Sequence, residues 1–424
     1  MPYLIVFFLT LLPFVAFNNY FADLFWFGDE LDLLLQVKRT GSITWAFQTF
    51  AENFVPLFKM LWIGAVHLFD GKYWWMIFLL WLTHAVNATL IFALLRKYKI
   101  DIEASFLSAL TFGLTWSVYE SLGWSVQWSA VLATMFFILS LLFLPKKFEN
   151  TSYINFLPTL LAILCSVLSF SRGVLTGLTC SSFIFLLGNC KDNILRKIIL
   201  SVLFMAPAVA AAIIISSNST GNHHLLNNLT KDIFLSMLTF GFYAFSLNPI
   251  AMLFHFSEPP SYIWLFFLTK ILVIATAFYF AKKNNSEIVK LLISFLIFDL
   301  ANSTLMGIGR YHTGNKYAMS SRYQYEFLVS FLPFLAVVLN EISLRIKTPY
   351  IFKAVTVAWL IWIFLPWSST AKEWSGWRGR DGRAAFTQDV AAHGGRNGTD
   401  VWMGIPPTIS LQEAYDVVRE FRLR

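Results

Sequence analysis

Charged residues are scarce in this sequence: only 13% of its 424 residues are Asp, Glu, Lys or Arg, about half of the roughly 25% typical of soluble domains. That shortage excludes a soluble globular enzyme. It also removes the usual meaning of a +8 net charge, which in a soluble chain would point to nucleic acid. Cysteine is nearly absent. Cys165, Cys180 and Cys190 lie in or at the end of apolar runs, so neither a disulfide framework nor a C-x-x-C metal site is supported, and the three read as small apolar fillers. No basic stretch precedes the first apolar run, 3–17, and no small-residue cleavage site follows before Asn18, Asn19 and Asp23. It reads as a retained helix and not as a cleaved signal peptide. Repeats of fixed period and low-complexity stretches are missing too, which excludes a solenoid.

What fills the chain is apolar: 57% hydrophobic residues, 44 Phe, 16 Trp and a mean hydropathy of +0.62. This is the composition of a polytopic membrane protein. Eleven runs are long enough to span a bilayer, near 3–22, 73–95, 103–120, 127–144, 154–171, 173–190, 197–216, 261–281, 288–308, 326–344 and 350–367. Two more apolar pieces, 54–69 and 232–256, are ambiguous, and counting either alone as a span inverts the side of every later loop. The expected fold class is therefore an all-α polytopic bundle of about 11–13 transmembrane helices.

Basic residues arbitrate, because cytoplasmic loops are enriched in Lys and Arg. With the amino terminus inside and both ambiguous pieces juxtamembrane or re-entrant, the inner loops carry Arg96, Lys97 and Lys99; Lys146 and Lys147; Lys191, Arg196 and Lys197; Lys282, Lys283 and Lys290; and Arg345, Lys347 and Lys353. All five then obey the rule. Pro56 and Lys59 likewise suit an interfacial helix better than a span. Residues 1–367 are expected to form the transmembrane domain, with a long first outer loop at 23–72. Residues 368–424 form a small periplasmic segment, in which Ser410 to Glu413 is a capping box opening an amphipathic helix.

The first outer loop holds the candidate chemistry, Gly28-Asp29-Glu30-x-Asp32. A carboxylate at a membrane boundary can act as general base, its pKa raised by like charges and partial burial; acidic residues also favour a first helical turn for its own sake. Apolar FWF and LLL flank the cluster and place it on an interfacial helix, with Asp32 as a bystander.

An acidic pair soon after the first span, a long outer loop with interfacial helices, a short apolar helix with an internal Pro (NFVPLFKMLW) and a second span reading WLTHAVNATLIFALLRKYK together resemble the GT-C superfamily of integral membrane glycosyltransferases. The resemblance covers about residues 1–145 and, beyond them, topology alone. It implies a GT-C-like bundle, donor sugars carried on a polyprenyl or dolichyl phosphate, and a loop acid as catalytic base, which falls on Asp29 or Glu30. Where related sequences often carry a His before the Pro, this chain reads Glu52-Asn53-Phe54-Val55-Pro56, so Glu52 is the second carboxylate candidate.

An anionic leaving group must be met by cations as charge develops. The densest basic group on the outer side is GRYHTGNKYAMSSRYQYE, residues 309–326. Arg322 is the expected phosphate ligand, supported by Arg310, Lys316 and Lys59; anchoring of Arg and Tyr among headgroups is the alternative. Glu120, Trp124, His312 and Tyr323 join Glu52 as candidate lining of an acceptor or sugar pocket. Lys270 and Asp299 lie equally deep on consecutive spans and are expected to pair, with proton relay as the alternative. His84 and Asn87 share a helix face and are expected to hydrogen-bond between helices. Arg172 is expected to anchor among headgroups. His223 and His224 have no third ligand nearby in sequence, so no metal site is assigned, and metal dependence stays open.

The reading is a glycosyltransferase of a bacterial inner membrane. It would move a sugar from a polyprenyl-phosphate donor to a glycan, lipid or protein acceptor of the envelope on the outer face, with inversion and a carboxylate base; its partners include the bilayer and no nucleic acid. Two alternatives stay open. An O-antigen ligase or polymerase would rely on Arg and His of a late outer loop, and a lipid or sugar flippase would be built from two related halves.

Overall fold

The structure, a computed structural model, describes residues 1–49, 53–145, 151–186, 194–218, 230–256, 258–284, 286–346, 349–380 and 409–424, and among them there is no β-strand. The chain opens as a broken helix, α1 (Pro2–Thr10), α2 (Leu12–Ala16) and α3 (Asn18–Ala22). Pro13 occupies the first turn of α2, where its missing N–H costs nothing. The first loop contributes α4 (Asp29–Thr40), α5 (Ser42–Ala46) and α6 (Pro56–Leu68). The bundle follows as α7 (Tyr73–Lys97), α8 (Ile102–Leu114), the short α9 (Tyr119–Gly123), α10 (Trp128–Phe143), α11 (Leu157–Val167), α12 (Val174–Leu186) and α13 (Ile194–Asn218). Next come α14 (Lys231–Leu247), the single turn α15 (Ile250–Leu253), α16 (Ile263–Asn284), α17 (Ser286–Arg310), α18 (Ser321–Arg345) and α19 (Pro349–Phe364). Two helices outside the bundle, α20 (Trp367–Ser375) and α21 (Leu411–Glu420), complete the described chain.

Eight helical stretches among the described residues are long and apolar enough to cross a membrane, including Tyr73–Lys97, Lys231–Leu253 and Ser321–Arg345. The segments Pro2–Ala16, Ile102–Leu114 and Tyr153–Val167 are apolar but shorter. Both ambiguous pieces receive a placement. The 13 residues of α6 reach only about 20 Å at 1.5 Å per residue, against a hydrocarbon core of about 30 Å. Its start is tied to the turn after α11, where the Leu57 N–H donates to the Leu168 carbonyl at 3.0 Å. Met60, Leu61 and Leu68 stay exposed on its outer face.

The second piece, α14 with α15, is long enough to span, yet it runs parallel to α16. Phe242 lies beside both Trp264 and Phe267, Phe245 lies beside Phe267, and Lys270 reaches the Phe245 carbonyl. Two neighbouring spans joined by a short turn are antiparallel. Parallel neighbours require the 248–262 connection to carry the chain back to the side it came from. This segment therefore dips into the bundle and returns.

The bundle centre is stitched by polar contacts that remove donors and acceptors from the apolar interior. Tyr325 of α18 accepts from Asn87 Nδ2 at 2.9 Å and lies 2.9 Å from His84 Nδ1; Asn87 also donates to the Val131 carbonyl, and His84 Nε2 lies 3.3 Å from the Gly113 carbonyl. These four contacts join α7, α8, α10 and α18. At the opposite end of α10, Lys97 donates to the carbonyls of Leu141, Leu142 and Leu144 at 2.7–3.0 Å, which answers the unsatisfied C=O groups and negative end of that helix.

Candidate active site

The site is built from the first turn of α4. Gly28 adopts φ 55° and ψ −122°, a conformation open to glycine, and turns the chain so that Asp29, Glu30 and Asp32 fall in the first helical turn, where the helix dipole favours negative charge. Leu31, Leu33, Leu34, Leu35 and Val37 bury the other side of the helix. Trp26, fully buried, donates its indole N–H to the Gly71 carbonyl at 3.0 Å and packs edge-on against Tyr73 and Trp62.

The two neighbouring carboxylates have opposite surroundings. Glu30 is fully buried. It accepts from the Phe27 N–H at 2.7 Å, the Tyr73 hydroxyl at 2.8 Å, and the Ser125 N–H and hydroxyl at 3.0 and 2.5 Å. Arg378 completes the set with a guanidinium nitrogen 3.7 Å from Glu30 Oε2. Burial pushes the Glu30 carboxyl above its usual range, and Arg378 followed by Ser125 pulls it back. Asp29 is only partly buried. Burial raises its pKa as well, against the opposing charges of Arg322 and then Arg310. One acid of the pair is locked into the framework, and the other lies in the field of two guanidiniums.

Arg322 lies in the first turn of α18, and its position is set by α9. Glu120 Oε2 accepts the Arg322 backbone N–H at 2.9 Å and the Ser320 hydroxyl at 3.0 Å, while the Glu120 N–H donates to Ser321 Oγ at 3.2 Å. Ser321 in turn donates to the Ser117 carbonyl at 2.7 Å. The Arg322 guanidinium stacks over the Tyr323 ring at 5.2 Å, and its buried Nε has no hydrogen-bond partner among the described residues. Arg172 also lies over the Tyr323 ring, at 5.1 Å, and forms an ion pair of 2.8 Å with Glu326.

The remaining candidates divide clearly. Arg310, His312 and Lys316 are exposed on the segment linking α17 to α18, which joins the side of the site that carries Arg322. Lys59 does not join them. It is fully buried, donates to the Trp45 and Gln48 carbonyls at 3.0 and 2.9 Å, and sits 4.6 Å over the Trp45 ring; burial lowers its ammonium pKa to about 8. Two of its three N–H groups serve carbonyls of the first loop. Glu120 grips the start of α18 where a place in an acceptor pocket was expected. Trp124 packs against Phe27 and Arg378, with its indole N–H buried and without a partner among the described residues. Tyr323 is buried, with the Arg172 and Arg322 guanidiniums over its ring. Glu52, His223, His224 and Cys190 lie outside the described residues.

Arg378, within the 368–424 segment, is a site residue that the sequence does not single out. Its guanidinium is 0% exposed, donates to the Gly123 carbonyl at 2.8 Å and the Tyr73 hydroxyl at 3.1 Å, and lies 4.8–6.0 Å from the rings of Phe27, Trp374, Trp124 and Tyr73. The only sequence signal was aromatic density around a tail arginine. Among the described residues no three His, Cys, Asp or Glu side chains converge as metal ligands.

No protein-family profile and no curated protein matches the sequence. Among solved structures, the archaeal oligosaccharyltransferase AglB from Archaeoglobus fulgidus, in complex with an inhibitory peptide and a dolichol-phosphate, aligns with the whole of this chain at a TM-score of 0.54 and 13% identity. The chain spans 59% of that protein's length. At this identity the likeness is one of fold. The protein shares the fold of that oligosaccharyltransferase: over the described residues it is an all-helical bundle with eight helical stretches long and apolar enough to cross a membrane.

Proposed function

We propose that this protein is a GT-C glycosyltransferase that moves one sugar from a polyprenyl-phosphate carrier to an acceptor hydroxyl of an envelope glycan, lipid or protein. Asp29 takes the proton from that hydroxyl. The hydroxyl oxygen bonds to the anomeric carbon as the bond from that carbon to the phosphate oxygen breaks, with inversion, and the bonding electrons leave on the phosphate. Arg322 grips the departing phosphate, assisted by Arg310 and Lys316. Glu30 holds the base in place from within the protein, and His312 and Tyr323 border the sugar.

The observation that carries this reading is the influence of Arg322 and Arg310 on Asp29: a half-buried acid with a raised pKa in the field of two guanidiniums, of which Arg322 keeps a buried Nε without a hydrogen-bond partner among the described residues. The AglB structure of the same fold was solved with a dolichol-phosphate, which supports a lipid-phosphate donor here. The face that carries α4 would be periplasmic and the Arg96–Lys99 loop cytoplasmic, in a bacterial inner membrane, as the distribution of Lys and Arg requires. The test is incubation of the purified protein with a panel of polyprenyl-phosphate sugars, scored for transfer or donor hydrolysis. Turnover that disappears in Asp29→Asn supports the reading; a fully active Asp29→Asn enzyme overturns it.

A further inference from the structure

Lys270 on α16 and Asp299 on α17 are buried in the bundle, and the reaction proposed above gives them no part. We propose that they are positioning residues that lock the end of α14 and thereby hold the basic 310–319 segment and the first turn of α18 in a phosphate-receiving shape. The inference rests on the reading of that segment as the phosphate site.

An ammonium has three N–H groups. Those of Lys270 go to Asp299 Oδ2 at 2.7 Å, the Phe245 carbonyl at 2.8 Å and the Asn248 carbonyl at 2.9 Å. The two carbonyls belong to the C-terminal end of α14, where helices leave C=O groups unsatisfied and carry partial negative charge. The other Asp299 oxygen accepts from Ser330 of α18 at 3.0 Å. Asn248, whose backbone Lys270 holds, then reaches outward with its side chain. It donates to the Ala318 carbonyl at 2.8 Å and accepts from Gln324 Nε2 at 2.6 Å. Ala318 lies in the basic segment, and Gln324 is two residues from Arg322. Lys270, Asn248, Ala318 and Gln324 are all fully buried.

Simple neutralisation of an intramembrane charge would need only the carboxylate contact. Two of three donors instead fix one helix end whose next side chain grips the basic segment. A proton relay would need a free donor or acceptor at Lys270, yet all three N–H groups are engaged, and the Phe245 and Phe327 rings lie 4.2 and 5.7 Å from its nitrogen.

The test compares three full-length variants: Lys270→Met, the swap Lys270→Asp with Asp299→Lys, and Asn248→Ala. Amide exchange of residues 311–319 and binding of farnesyl phosphate are measured on each. In Lys270→Met, exchange of the segment is expected to quicken by about tenfold or more, and farnesyl phosphate to bind about tenfold more weakly. The swap restores opposite charges but moves the ammonium to α17, so it recovers thermal stability without recovering segment protection. Asn248→Ala keeps the ion pair, cuts the link to the segment, and stays informative if Lys270→Met fails to fold. Unchanged exchange in Asn248→Ala, or full recovery of protection in the swap, overturns the proposal. Faster exchange with unchanged farnesyl phosphate binding upholds the positioning role and overturns the phosphate reading of the segment instead.

Discussion

The Glu120 carboxylate accepts the backbone N–H of Arg322 at 2.9 Å. A residue of the short α9 thus caps the helix that presents the proposed phosphate ligand. An N-terminal helical N–H has no partner within its own helix, so this contact both stabilises α18 and fixes where Arg322 begins.

Glu120→Ala should cost about 1 kcal/mol, the usual effect of losing a helix cap, and should raise the KM for donor more than it lowers kcat. Glu120→Gln, which keeps an acceptor oxygen, should behave almost as the parent. Thermal unfolding in detergent and donor titrations separate the two; equal losses in both variants would contradict a capping role.

Arg378→Met should be among the most damaging substitutions in the chain. It leaves Glu30 buried beside no cation, and breaking a buried ion pair from one side costs about 3–5 kcal/mol. Pairing it with Glu30→Gln should recover part of that loss, because a neutral amide can still accept from Tyr73 and Ser125. A double-mutant cycle on thermal unfolding reads the coupling directly.

Burial places the Asp29 pKa above its ordinary value, and this sets two pH dependences of opposite benefit. As general base it works when deprotonated, so kcat/KM should fall with decreasing pH through a pKa above the usual Asp range, and Asp29→Asn should lose about 10²–10⁴-fold. In folding, the native state holds this proton more tightly than the unfolded chain. Stability therefore declines as pH rises between the unfolded and folded pKa values, and Asp29→Asn should be more stable than the parent at neutral pH. A variant that is both inactive and destabilised there would contradict this assignment.

The amphipathic α21 is clasped to α4 by Arg39 with Glu413 at 2.6 Å and Lys38 with Glu420 at 3.0 Å, and the chain end joins the turn before α7 through Arg422 and Arg424 with Asp70. These pairs are partly solvent-exposed, so salt should loosen the clasp. Glu413 is held below the ordinary Glu pKa by the N–H and hydroxyl of Ser410 and then by Arg39. Its contribution is present above the unfolded pKa and is lost as pH falls through the folded one. Hydrogen exchange of residues 411–420 should therefore quicken in high salt, in acid and in Ser410→Ala, while the bundle stays protected. Gly71→Ala should have the same effect, since Gly71 has φ +67° and an added Cβ would meet the Phe421 carbonyl at 2.3 Å.

The legible and illegible parts of this protein divide along one physical line. Hydropathy marks helices because the bilayer requirement acts on each segment separately, so α7, α10, α13 and α16–α19 were readable. The Ser410–Glu413 capping box was readable from four residues. For α14 the charge rule left two readings, juxtamembrane or re-entrant, and the direction of α16 beside it favours the second. Lys59 and Glu120 carry the right charge on the right side for ligand contacts, but their partners are backbone groups of other elements, which residue type does not reveal.

The sequence by itself determined the membrane class, the helices and the placing of an acidic turn in the first loop, because these follow from the local run of side chains. Only the tertiary structure decided which acid of that turn is free. Glu30 is enclosed by Tyr73, Ser125 and Arg378, the first and last of which are 305 residues apart, and Asp29 is left in the field of Arg322 and Arg310. Packing brings such distant groups together, and adjacent residues on one helical turn point in different directions, so two neighbouring carboxylates ended in opposite environments.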